Sequence, residues 1–166
     1  RKAVNRHTAA ILVEPVLGEL GVVPGSVEFL VGLRRLCDRN GILLMLDEVQ
    51  TGLGRTGPLF AFEHMGHDCV PDLLSLGKSL GGGLPLSAVL VGERARKSIG
   101  LGEHGTTMGG NAVACAAGLV LLKELRSKAQ SANREAVSEL LLTGLKAFQT
   151  TWPGLIKQVR GKGMML

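Results

Sequence analysis

The sequence predicts an α/β fold with a mixed, mostly parallel sheet and helices on both faces. Its predicted strands are short and almost entirely apolar, which is typical of strands that are buried on both faces. Strand and helix patterns also alternate along the first half of the chain. With 166 residues, 45% of them hydrophobic, the chain can bury a core of ordinary size. A mainly disordered chain is therefore excluded.

The first half of the chain is predicted to run strand, helix, strand. The apolar runs 9–13 and 42–46 have the length and composition of buried strands. Residues 26–40 between them place their apolar side chains on one face of a helix. Ser26 is the predicted N-cap of this helix, and the glycine after Asn40 is the predicted stop.

Two further strands are predicted at residues 73–76 and 88–91, and the segment between them is short. Only eight residues separate Lys78 from Ser87, three of them glycines in a row. A parallel crossover needs about a dozen residues or more, usually including a helix. These two strands are therefore predicted to run antiparallel if they are neighbours.

The second half of the chain is predicted to be helical. Residues 112–125 are apolar nearly all round, so this helix should be buried deeply or lie against a partner. A second helix is predicted at about 131–148, and Trp152-Pro153-Gly154 breaks it.

The predicted domain division is 1–150 and 151–166, the latter being the start of a second domain. Because the sequence opens without Met and stops as an apolar run begins, we expect it to be incomplete at both ends.

Composition excludes several classes of protein. The net charge of +5 lies entirely in residues 121–166, which hold 8 Lys and Arg against 3 Asp and Glu. Those basic residues do not alternate with aromatic ones, so no nucleic-acid partner is predicted. No apolar run is long enough for a membrane span. Three cysteines without a C-x-x-C pair favour a reducing, cytoplasmic location, and the histidines lack zinc-site spacing, so no metal is predicted.

Three predicted strands end near an ionisable residue: Glu14, Asp47 and Lys78. Ligands of open α/β sheets bind at the carboxyl ends of strands, so these residues are candidates for a site. A carboxylate that ends a buried strand needs a cation, and a lysine in a desolvated site can act as a nucleophile. Together Asp47 and Lys78 suggest pyridoxal phosphate, with lysine on the aldehyde and aspartate on the pyridinium nitrogen. The alternative is a structural Lys78–Asp47 ion pair.

Two phosphate-loop patterns fail on context. Residues 52–57 match G-x-G-x-x-G, but they do not directly follow a strand and no acidic strand end lies about 20 residues on. Gly77-Lys78-Ser79 resembles the end of a P-loop, but Asp72 stands where its first glycine is required. A nicotinamide-nucleotide site is therefore the weakest of the alternatives.

Several longer motifs carry a resemblance to a known family. They are Ala10-Ile11-Leu12-Val13-Glu14-Pro15 with Gly18-Glu19, Leu46-Asp47-Glu48-Val49-Gln50-Thr51-Gly52 with Gly54-Arg55-Thr56-Gly57, Pro71-Asp72-Leu73-Leu74, Gly77-Lys78, Gly81-Gly82-Gly83, and His104-Gly105-Thr106-Thr107 with Gly109-Gly110-Asn111. In this order they resemble the class III (omega-amino-acid) aminotransferases, closest to the acetylornithine and ornithine enzymes. The resemblance covers essentially the whole chain. It implies the large domain of pyridoxal-phosphate fold-type I over 1–150 and the start of the C-terminal small domain over 151–166.

The resemblance implies four roles around the cofactor ring. Lys78 would form the internal aldimine with pyridoxal 5'-phosphate and move the proton during transamination. Asp47 would keep the pyridine nitrogen protonated. Val49 would pack on the ring face, and Gln50 would bond the phenolic oxygen.

Further residues have implied roles around this centre. Glu14 matches a carboxylate near the cofactor, and Glu19 a glutamate that swings between the two half-reactions. Thr107, with Thr106, would reach the cofactor phosphate of the neighbouring subunit. For Arg55, binding a ligand and bracing a loop both stay open.

As a whole, the resemblance implies a transaminase that moves an amino group between an amine or omega-amino acid (ornithine- or acylornithine-like) and a keto acid. It also implies a homodimer with shared active sites, and an isolated fragment that is inactive and poorly folded. The alternative is a non-catalytic fold-type I domain that binds the cofactor or an effector.

Overall fold

A four-stranded sheet forms the centre of the structure, a computed structural model that describes residues 3–166. The sheet order is β1-β4-β5-β6, and a separate two-stranded hairpin consists of β2 and β3. β1, β4 and β5 are parallel and β6 is antiparallel to β5, so the predicted mixed sheet is confirmed. The elements are β1 (Ala10–Val13), β2 (Val16–Leu17), β3 (Val23–Pro24), α1 (Val27–Asn40), β4 (Leu43–Asp47), β5 (Leu73–Leu76), β6 (Ala88–Val91), α2 (Ala112–Leu125) and α3 (Lys128–Thr151).

The register of the parallel strands brings their carboxyl ends to one edge. Val13 pairs with Leu46, and Asp47 pairs with Ser75. Glu14, which follows β1, therefore leaves the sheet beside Asp47. The candidate residues Glu14 and Asp47 therefore lie at the same edge of the sheet.

Helix α1 covers one face of the sheet. Its start and end follow the sequence prediction because Ser26 Oγ accepts the Phe29 N–H at 3.1 Å, and because Gly41 takes the left-handed conformation with φ 65°. On the covered face Leu44 and Leu46 are fully buried. Burial of each such side chain contributes about 1.5–3 kcal/mol to folding.

The opposite face of the sheet is open within residues 3–166. The register aligns one apolar row across it: Leu12, Met45, Leu73 and Val91. Leu12 is 66% exposed and Val91 is 39% exposed. Helices were predicted on both faces of the sheet. In the described residues a helix packs on one of these faces.

Helix α2 has the predicted bounds, but it is not deeply buried in this chain. Ala114 and Gly118 are its buried residues, and a Cβ at Gly118 would lie 3.0 Å from the Leu80 carbonyl oxygen. Leu119 is 69% exposed. Of the two alternatives for this apolar helix, deep burial within the chain is therefore wrong.

Helix α3 is longer than the predicted 131–148. Ser127 Oγ accepts the Gln130 N–H at 3.3 Å, so the helix begins a turn earlier. It ends before Trp152, as predicted. After it, the chain returns to the sheet edge, where the Met164 N–H donates to the Arg55 carbonyl at 3.0 Å.

Sequence patterns did not predict three small features, the β2–β3 hairpin, a 3₁₀ segment at Ala61–Cys69 and a short 3₁₀ turn at Lys78–Gly81. Strands of two residues carry no periodicity, and Gly66 interrupts the 3₁₀ segment with φ 61°. Among the described residues, the helices are too short or too polar to cross a bilayer.

Candidate active site

A cleft of about 390 Å³ lies at the carboxyl edge of the sheet, where the loops that follow β2, β4 and β5 meet. It brings together three predicted site residues, Val49, Gln50 and Lys78. The rest of its lining comes from the hairpin turn (Gly18, Val22), the loop after β4 (Gly52, Arg55), the residue after the lysine (Ser79) and the last three residues (Met164, Met165, Leu166).

Lys78 stands in the cleft on a strained backbone. It follows β5 by one glycine, and its φ of 45° is in the left-handed region, which costs a non-glycine residue about 1–2 kcal/mol. A Cβ at Gly77 would lie 3.3 Å from Val49 Cγ1, so this glycine lets the two loops approach each other. Within residues 3–166 the Lys78 amine makes no ion pair. The structure therefore does not contain the alternative, a structural ion pair between Lys78 and Asp47.

Asp47 is held by one carboxylate oxygen and keeps the other available. Its Oδ1 accepts the Val49 N–H at 3.0 Å and the Ser75 hydroxyl at 2.9 Å. Among the described residues Oδ2 has no hydrogen-bond partner. The half-buried carboxylate does not line the cleft itself, but its bond to Val49 fixes it next to a cleft residue. A fixed carboxylate with a free oxygen suits a pyridinium N–H.

Gln50 lies across the cleft against the hairpin turn. A Cβ at Gly18 would overlap Gln50 Oε1 and would lie 2.6 Å from Gln50 Cδ. The turn that carries Gln50 is closed by the Gly52 N–H, which donates to the Glu48 carbonyl at 3.0 Å. Gln50, Val49 and Lys78 line one space, and side chains of these types fit the cofactor that the sequence predicts.

Glu48 is a buried carboxylate that sequence reasoning did not single out. It is 1% exposed, and it accepts the N–H groups of Ala61 at 2.6 Å and Phe62 at 2.9 Å. Burial raises its pKa to about 7, although the two N–H donors act in the opposite direction. Glu48 thereby ties the loop after β4 to the 3₁₀ segment. The available signal was strand alternation, which turns the residue after Asp47 toward the core side.

Besides Asp47, four predicted residues lie outside the cleft lining. Glu14 is half-buried at the same sheet edge, and Glu19 is exposed directly after Gly18. Thr106 and Thr107 are exposed in the loop before α2. Their roles toward the cofactor stay predictions.

Arg55 both lines the cleft and braces the chain, and the glycine before it packs on α3. Arg55 is exposed and lines the cleft, and its carbonyl accepts the Met164 N–H, so its backbone braces the chain. Gly54, with φ 83°, lies against Arg134 of α3, because a Cβ there would be 2.9 Å from Arg134 Nε. The G-x-G-x-x-G pattern is thus a run of turns packed on α3 rather than the start of a helix.

Comparison with known proteins gives a consistent result. The profile of the class III aminotransferases matches residues 1–166. The acetylornithine aminotransferase of Myxococcus xanthus is 47% identical over 167 residues, covering 100% of this chain and 41% of that protein. The enzyme of the same name from Gloeobacter violaceus is 46% identical over 165 residues, covering 99% of this chain and 40% of that protein.

Solved structures give the same picture. The acetylornithine aminotransferase of Elizabethkingia anophelis superposes with a TM-score of 0.84 at 41% identity, covering 93% of this chain and 40% of that one. The ornithine aminotransferase of Toxoplasma gondii also gives 0.84, at 37% identity, covering 93% of this chain and 36% of that one. In that crystal, grown with oxidized glutathione, PLP partially occupies the active site. The chain spans about 40% of the length of the curated relatives it matches.

Proposed function

Because the chain belongs to the class III aminotransferases, whose fold it shares, we propose that the protein containing it is a pyridoxal-phosphate-dependent transaminase. It would move an amino group between an amine or omega-amino acid, of ornithine or acylornithine type, and a keto acid. The observation that carries this proposal is the cleft in which Lys78, Val49 and Gln50 meet beside Asp47. The activity is proposed for the whole protein, since the chain spans about 40% of its relatives.

The cofactor, when bound, supplies a conjugated ring that accepts the electrons of a substrate C–H bond. The Lys78 amine would hold the cofactor at its aldehyde carbon, with loss of water, and as a free amine would move a proton at the substrate. Its exposure in the cleft and its lack of an ion pair in the described residues leave the amine available for both tasks.

Asp47 would accept the ring N–H through Oδ2, while Oδ1 stays on Val49 and Ser75. A carboxylate already held by two donors loses little conformational freedom when it takes a third. Val49, fixed by the same carboxylate, would press on the ring face, and Gln50 would donate its amide N–H to the phenolic oxygen. Glu14 would lie near the cofactor at the sheet edge, and Glu19, in the hairpin turn, would swing between the two half-reactions.

The assembly is proposed to be a homodimer that shares its active sites. Thr106 and Thr107 are exposed and lie away from their own cleft lining, as residues serving a neighbouring subunit would be. Helix α2, which follows them, has exposed apolar side chains that such a neighbour could cover. A cytoplasmic location is also proposed, because Cys37, Cys69 and Cys115 are free thiols.

Borohydride reduction followed by peptide mapping tests the central residue. In the whole protein incubated with pyridoxal phosphate, reduction is expected to fix the cofactor to Lys78. The Lys78→Ala variant should take no label, whereas Lys97→Ala, which changes an exposed lysine outside the cleft, should be labelled as the wild type is.

Label on any other lysine would contradict the proposal. A turnover assay with N-acetylornithine and 2-oxoglutarate then separates a transaminase from a non-catalytic domain. A non-catalytic domain would be labelled at Lys78 but would transfer no amino group.

A further inference from the structure

Two residues that are distant in sequence share one small space in the cleft. Gly18 lies in the turn after β2, and Gln50 lies in the loop after β4. A Cβ at Gly18 would overlap Gln50 Oε1, with Cδ at 2.6 Å and Nε2 at 3.0 Å. The Gln50 amide therefore occupies the volume that any side chain at position 18 would fill.

The backbone does not require glycine at position 18. Its φ is outside the left-handed region, unlike that of Gly21 in the same turn, which has φ 91°. The Gly18 carbonyl accepts the N–H groups of Gly21 and Val22 at 3.2 and 3.1 Å, and any residue could do this. The reason for glycine here is space, not conformation.

Stability does not explain the glycine either. The atoms that a Cβ would meet belong to the end of a flexible side chain, which can rotate away at small cost. Gly52 differs, because a Cβ there would lie 2.9 Å from the Glu48 carbonyl oxygen, which is backbone and cannot rotate away. A methyl at position 18 would thus leave the fold intact and move the amide.

We propose that Gly18 is a positioning residue: its missing side chain makes the space that holds the Gln50 amide at its place in the Lys78 cleft. The contact also joins the turn that carries Glu19 to the loop that carries Gln50. This inference rests on the proposed function, since Gln50 would serve the cofactor.

A double-mutant cycle in the whole protein tests the inference through cofactor binding. Gly18→Ala is expected to raise the Kd for pyridoxal phosphate about tenfold, the effect of losing one hydrogen bond to a charged oxygen. It should shift the absorption of the bound cofactor in the same direction as Gln50→Ala. In the Gln50→Ala background, Gly18→Ala should change the Kd less than about twofold, because the amide is already gone. Gly32→Ala, which adds a methyl in open space at an exposed position of α1, is the matched control and should leave both readouts unchanged.

Two outcomes would overturn the inference: an unchanged Kd and absorption in Gly18→Ala, or effects of the two substitutions that multiply in the double variant. If the wild-type protein binds no cofactor, the proposed function fails, and the crystal structure of Gly18→Ala decides the inference on its own. An amide that keeps its wild-type position contradicts it, and a displaced amide on an unchanged backbone supports it.

Discussion

At the scale of single residues, Glu48 holds the loop of the candidate site in place. Its carboxylate accepts two backbone N–H groups at the start of the 3₁₀ segment, and its own carbonyl accepts the Gly52 N–H. The loop between these anchors carries Val49, Gln50 and Arg55, all of which line the cleft. A residue that does not itself line the cleft thus helps to determine where three lining residues lie.

The raised pKa of Glu48 predicts a pH dependence of stability. In the folded protein this pKa is about 7, against an ordinary value of 4.5. Between these two pH values the unfolded chain releases the proton while the folded chain keeps it, so the free energy of unfolding falls as pH rises. The fall should amount to at most about 3 kcal/mol, at 1.36 kcal/mol per pH unit. Urea unfolding of the whole protein at pH 5, 6, 7 and 8 measures it.

Glu48→Gln removes the titrating group and should remove this part of the pH dependence. Glu139→Gln, on the exposed surface of α3, is the control and should keep the wild-type slope. Equal slopes for Glu48→Gln and the wild type between pH 5 and 7 would show that Glu48 does not titrate in this window.

At this scale residue type pointed to Lys78 and Asp47, and the family resemblance added Val49 and Gln50. Lys78, Val49 and Gln50 line one cleft, and Asp47 is fixed beside it. Glu48 was missed because its role depends on the N–H groups of the 3₁₀ segment, which follows more than ten residues later. The sequence pattern did not predict that segment.

At the scale of elements, a buried carboxylate joins α1, β4, β5 and the segment after β6 at the end of the sheet away from the cleft. Asp72 Oδ2 accepts the Leu44 N–H at 2.8 Å and an Arg34 N–H at 2.9 Å. Arg94, beyond β6, lies 3.3 Å from Asp72 Oδ1 and 2.9 Å from Asp38 of α1. The side chains of Arg34 and Asp72 are 9% and 7% exposed.

Asp72→Ala is expected to destabilise the protein by about 3–5 kcal/mol, because it leaves the Arg34 guanidinium buried with less of its countercharge. Glu93→Ala removes a partner from the exposed Arg96–Glu93 pair at 2.9 Å and should cost about 1 kcal/mol or less. Urea midpoints of both variants and the wild type give the comparison. A loss for Asp72→Ala no larger than that for Glu93→Ala would mean that the buried network contributes no more than a surface pair.

The elements that the sequence predicted well are those with local start and stop signals. Helices α1 and α2 begin after Ser26 and Asn111, whose side chains accept N–H groups three residues on. The start of α3 was misplaced because Ser127 was not recognised as its cap. The antiparallel β6 followed from the length of its connection, a constraint that needs no knowledge of long-range contacts.

At the scale of the whole molecule, the open face of the sheet carries one residue of the candidate site, Asp47. The apolar row of Leu12, Met45, Leu73 and Val91 crosses the sheet on the side opposite the buried Leu44 and Leu46. Two residues along β4 from Met45, alternation puts Asp47 on this same side. An element packed over the apolar row would therefore also lie beside the Asp47 carboxylate.

The isolated 166-residue chain is therefore expected to be inactive and to bind a hydrophobic dye strongly. The apolar row on the open sheet face and the exposed apolar side chains of helix α2 are surfaces to which such a dye binds. Dye fluorescence per mole of chain should be several-fold higher for the isolated chain than for the whole protein. The double variant Leu12→Thr with Val91→Thr should lower it, since both side chains lie in the exposed row. Glu139→Gln, a polar change on the exposed surface of α3, should leave it unchanged. If the isolated chain binds no more dye than the whole protein, the open sheet face is covered within the chain itself. Transaminase activity of the isolated chain would show that Lys78 and Asp47 need no further segment of the protein to cover them.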